Sequence, residues 1–208
     1  MSGTNKPLKT DIQTYCDYIA EVRPRLDVIQ DFIDGKATTG LEPCNVEFIF
    51  LQFRKILELI AFASLTANKD AYSAAHAKFA QHWKAKSMLG ELAKVNPRFY
   101  PDPLNPPRET APGFKHFECP ADGFMTISEF AILYDAASDL MHTRNPFTTK
   151  DPGINIVYSV QGWVSRIRRL LGWHTMHLLS GDKWIVNMPP EGIIQAFPAS
   201  PMPDADLP

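Results

Sequence analysis

Histidine and arginine carry what chemistry this 208-residue chain offers. The signatures G-x-x-x-x-G-K-[ST], G-x-G-x-x-G, H-E-x-x-H and G-x-S-x-G are all absent, which removes nucleotide-hydrolysing, dinucleotide-binding, zincin and hydrolase-elbow readings. The sharpest cluster is Asp139-Leu-Met-His142-Thr-Arg144-Asn145-Pro146-Phe147. It sets a side chain that titrates near neutral pH beside a permanent cation suited to carboxylate or phosphate. The same residues also suit a structural task. A histidine near a helix C-terminus gains from the dipole when protonated, and an asparagine before proline can bond the last carbonyls.

A second cluster is Arg166-Ile-Arg168-Arg169-Leu-Leu-Gly-Trp-His174-Thr-Met-His177. On a helix His174 and His177 would share a face, but a metal needs further ligands and no acidic or cysteine neighbour supplies them, so no metal or cofactor is expected. His174 falls on an apolar seam, where a core histidine bonded to a backbone carbonyl is the bland alternative. The arginines form by default a solvated face, one that could meet a phosphate or an acidic partner. Arg54 and Glu58, at i and i+4 on a very apolar segment, should pair because an unpaired charge there is costly. They would orient His142 if their two helices adjoin.

The elements that must hold these groups read as helices. Seven of the eighteen prolines fall between Pro97 and Pro120 and six lie from Pro189 onward, so the long segments between are helix candidates. Ile12, Tyr15, Ile19, Val22, Leu26, Ile29 and Ile33 step by three and four, the seam of a packed helix, with Pro24 predicting a kink or a junction of two helices. From Asn45 to Asn68 only a narrow polar stripe interrupts the apolar residues, which predicts the central helix. A third helix is expected over Asp70 to Val95. Residues 97–124 form a proline-rich strap. Thr126-Ile-Ser-Glu129 is a capping box opening a fourth helix, and Val157 to Leu178 repeats the seam in a fifth, stopped by Ser180-Gly181. Trp184 to Met188 and Ile193 to Phe197 alternate as two short strands around a turn. The expected fold is all-α: a helical bundle of four to five long helices over 1–180, with a small C-terminal β-hairpin over 181–198 and a loose tail over 199–208.

With 21 Lys+Arg against 23 Asp+Glu, the net charge of −2 gives no global field for nucleic acid or membrane, so any such contact must be local. The N-terminus lacks the apolar core of a signal peptide, and polar residues interrupt the longest apolar stretch, Phe48 to Leu65, so no membrane partner is expected. Three scattered cysteines with no C-x-x-C pair argue for a reducing, cytoplasmic setting without disulfides or a thiolate zinc site.

An all-helical pattern with arginine and histidine a few residues apart on a late helix resembles the HEPN superfamily, compact helical domains of toxins, RNA-processing enzymes and prokaryotic anti-phage systems. Its catalytic members use an arginine followed, after four to six residues, by a histidine. Here Arg168 precedes His174 with five residues between, and Arg169 with four. Arg144-Asn145 has the family's common dipeptide, with Thr149, Lys150 and Asp151 where the downstream histidine would stand. The phrases Asn96-Pro-Arg-Phe-Tyr-Pro101 and Leu140-Met-His-Thr-Arg-Asn-Pro-Phe147 are similar to those of uncharacterised bacterial proteins.

The resemblance implies metal-independent RNA cleavage by attack of the ribose 2′-hydroxyl on the adjacent phosphate. Histidine would shuttle protons and arginine would stabilise charge on the phosphoryl oxygens. It further implies a homodimer composing one site, and a prokaryotic defence or toxin setting with an antitoxin as partner. The implied catalytic residues are His142, Arg144 and Asn145, or the rival pair Arg168 and His174, supported by Arg54 and Glu58. A reading from another class stands beside it: a non-catalytic interaction or scaffold protein, its histidines and arginines structural, that binds a protein partner.

Overall fold

The structure, a computed structural model, describes residues 10–69, 85–141 and 156–199. The cluster His142, Arg144 and Asn145 lies outside the described residues, as do residues 70–84 of the expected third helix and residues 200–208 of the tail.

Helix α1 (Asp11–Ile33) begins at a capping box: Thr10 accepts the Gln13 amide while the Gln13 side chain accepts the Thr10 amide. Tyr15, Ile19, Val22, Leu26 and Ile29 are all fully buried, as their spacing predicts. The helix passes through Pro24 as one element of 23 residues rather than two. Helix α2 (Glu42–Ala67) enters with Pro43 in its first turn, where no amide partner is lost, and packs lengthwise on α1. Its Phe50, Phe53, Ile56, Leu57 and Ile60 form the centre of the core. Helix α3 (Ala85–Val95) is followed by Asn96, whose buried amide donates to Asn68 Oδ1 at 2.7 Å and to the His177 carbonyl at 2.9 Å. Helix α4 (Ile127–Leu140) opens at the predicted Thr126–Glu129 box, and α5 spans Val160–Gly172.

The all-α expectation is overturned: the chain is α+β. A four-stranded antiparallel sheet has the order β1-β4-β5-β6, with β1 Asp102–Pro103, β4 Trp173–His177, β5 Lys183–Asn187 and β6 Gln195–Ala199. A separate hairpin joins β2 (Arg108–Ala111) to β3 (Phe114–His116). Two corrections follow from competing local signals. The expected fifth helix stops at Gly172, a poor helix former, and Trp173 turns extended at φ −131°, ψ 130°. Leu171, His174 and Leu178 fit a helical period and Trp173-His-Thr-Met-His177 shows no apolar alternation, so it is pairing with β5 that makes this segment a strand. The proline-rich strap contains three short strands: Pro103 sits in the two-residue strand β1, and Pro112-Gly113, with Gly113 at φ 82°, makes the β2–β3 turn.

His174, Met176, Trp184 and Val186 point into the helical layer and are buried, so the expected hairpin is core rather than appendage. The alternate residues Trp173, His177, Lys183, Ile185 and Asn187 are half-buried on the opposite face. The outermost strands, β1 and β6, each contain a proline, Pro103 and Pro198. Among the described residues no helix is long and apolar enough to cross a membrane.

Candidate functional site

His174 is fully buried on the helix-facing side of β4. Its Nδ1 lies 3.0 Å from the Leu171 carbonyl, which can only accept, so Nδ1 carries the proton and Nε2 accepts from the Tyr15 hydroxyl at 2.7 Å. Both ring nitrogens are thereby committed within the core. Burial pushes the imidazole pKa down to about 4, only partly opposed by the Leu171 carbonyl, and burial pushes the Tyr15 hydroxyl well above its ordinary range. The pair is neutral at physiological pH and ties α1 to the sheet.

The structure does not bring Arg168 and His174 together. The Arg168 guanidinium lies at the surface and donates to Asp27 Oδ1 at 2.8 Å. Its α1 partner Asp27 and the α1 partner of His174, Tyr15, are twelve residues apart, about 18 Å along the helix axis. Arg169 donates to Asn105 Oδ1 at 2.7 Å and thus pins the strap. His177, three residues along β4, points to the other face, where its Nε2 sits 3.0 Å from Asp102, so it shares no site with His174.

Arg166 reaches Glu129 through contacts of 2.7, 2.9 and 3.2 Å and covers the Tyr158 ring at 4.4 Å. Burial alone would raise the Glu129 carboxyl pKa. The Thr126 amide, the Tyr158 hydroxyl and Arg166 outweigh it and hold that carboxyl below its ordinary range. The capping glutamate legible in sequence is therefore also the anchor between α4 and α5.

Arg54 and Glu58 do pair, at 3.1 Å, and α2 and α4 adjoin. Arg54 also donates to Ser138 Oγ at 2.7 Å and to Tyr134 OH at 3.1 Å, with its guanidinium over the Tyr134 ring. This half-buried network stands one turn before the C-terminal end of α4, the helix whose sequence runs on into His142.

Two hollows that single residues gave no sign of lie on either side of Trp173. One, of about 360 Å³, is bounded by Arg23, Arg168, Trp173, Asn187 and Pro189. The other, of about 170 Å³, is bounded by Lys115, Phe117, Trp173, Ile185 and Phe197. The Phe117 ring leans on Trp173 at 5.5 Å between centroids. The Pro112-Gly113 turn was the available signal, because a hairpin there folds residues 114–117 back toward the sheet. Compared with known proteins, the chain matches no family model, no curated protein and no solved structure.

Proposed function

We propose that this protein is a non-catalytic binding protein in which His174, Arg54 and Arg166 are structural. One observation carries the reading: His174 has no exposed surface and both its nitrogens are engaged. A proton shuttle must reach the reacting atoms within hydrogen-bond distance, and among the described residues this imidazole hydrogen-bonds only to Tyr15 and Leu171. Arg166 and Arg54 support it by joining helices rather than facing an open site. The test is incubation of the full chain with single-stranded and hairpin RNA, with cleavage read on a denaturing gel. Intact RNA together with a lowered thermal midpoint for His174→Leu supports the reading. Cleavage abolished by a His174 substitution that leaves the midpoint unchanged overturns it.

A second reading, the HEPN-like endoribonuclease with His142, Arg144 and Asn145 as its site, is favoured by the Arg54 network at the end of α4. In that reading Arg54 and Glu58 position the segment that follows, a second copy of the chain completes the site, and the setting is prokaryotic defence. It requires that His142→Ala abolish cleavage while the midpoint holds.

A further inference from the structure

We infer that the face of the sheet around Trp173 binds single-stranded nucleic acid, with phosphates on its arginines and lysines and bases against its aromatic rings. This rests on the binding reading above and names its ligand. Trp173 is the shared wall of both hollows, and each hollow combines flat or apolar walls with a cation at its border. Arg23 gives its two hydrogen bonds to neutral acceptors, the carbonyls of Pro189 at 2.9 Å and Gly192 at 2.7 Å. Its charge therefore meets no carboxylate among the described residues. Lys115 borders the second hollow, and Lys183 lies on the same face of the sheet two residues before Ile185; neither forms an ion pair among the described residues.

Two nearby carboxylates are already engaged. Asp27 takes Arg168, while Asp102 takes both Arg98 and His177. Cations and rings bordering the same hollows suit a strand in which phosphates alternate with bases. Guanidinium forks suit phosphate oxygens, and aromatic rings accept any base because every base has a flat face. A paired duplex presents no free base face to Trp173, Phe117 or Phe197, so the fit is to a single strand.

The experiment measures fluorescence anisotropy of end-labelled twelve-nucleotide oligouridylate and oligothymidylate titrated with the full chain. Binding is expected at low salt, and contact with about three phosphates predicts a loss of about 30-fold between about 50 and 250 mM salt. Trp173→Ala should weaken binding about tenfold or more, since stacking on one base is worth that much. Trp173→Phe should restore most of it, and Lys115→Ala should lower the salt dependence with the thermal midpoint unchanged. An annealed duplex of the same length should bind far more weakly.

Absence of saturable binding at low salt, or equal binding by Trp173→Ala, overturns the inference. So does displacement of the strand by a mononucleotide at matching concentration, which would assign the hollows to a small planar anion. So does capture of a protein segment that competes with the oligonucleotide at tighter affinity. The two readings fail separately: a bound strand that is cut overturns the non-catalytic reading alone, and a strand neither cut nor bound overturns this inference alone.

Discussion

At the scale of single residues, the Tyr15–His174 contact makes the sharpest demand. Tyr15→Phe keeps the ring but strips Nε2 of its one donor among the described residues, which should cost about 1–3 kcal/mol in urea denaturation. The pH dependence has a definite sign. The buried imidazole titrates at about 4 against an ordinary 6.5, so between those values the unfolded chain holds a proton that the folded chain does not. Stability is complete above about pH 6.5 and should fall by about 3 kcal/mol as pH drops to 4, and the double variant Tyr15→Phe, His174→Leu should flatten that slope in urea midpoints measured across the range. Sequence marked His174 as a seam residue with a backbone partner, and that half of the reading was legible from its apolar neighbours. Its tyrosine partner lies 159 positions away, and no local pattern encodes a contact at that separation.

At the scale of elements, the signals that survive are those made within one turn. The Thr126–Glu129 box marks the start of α4 because both its partners lie three residues apart. Thr126→Ala should cost about 1 kcal/mol by freeing one orphan amide, seen as a shifted urea midpoint. Arg166→Leu should cost more than this cap alone, because it leaves the Glu129 carboxylate partly desolvated with one fewer cation, and the same denaturation series orders the two. The seam of α1 is legible for the same local reason. The segment after Gly172 is not, since its apolar spacing at residues 171, 174 and 178 reads as helix and only pairing with strand β5 makes it extended. The strap hides its strands because they are only two to four residues long, and β2 and β3 are exposed along their whole length, so no apolar alternation marks them.

At the scale of the molecule, the sheet and helices share one core. A chain ending at Ser180 would lose β5 and β6 and with them Trp184, Val186 and Met188, all buried. Each such side chain is worth about 1.5–3 kcal/mol. Their sum approaches the 5–15 kcal/mol that holds a typical domain together. The truncated chain should therefore show no cooperative melt and a collapsed near-ultraviolet dichroism signal. Nothing in the spacing of residues 1–180 shows this dependence, because Tyr15 and His174 read as ordinary helix seam until the strands are in place.

The prolines in the two outermost strands bear on how the chain behaves in a crowd. A sheet border normally presents a row of free amides and carbonyls that can template another chain, and proline withholds a donor and disfavours that growth. Here Pro103 stands on a border only two residues long and Pro198 on the other. Self-association by strand addition is thus opposed at both ends. Pro198→Val should shift light scattering of concentrated samples toward higher assemblies, whereas unchanged scattering would show that proline is not what keeps neighbouring molecules apart.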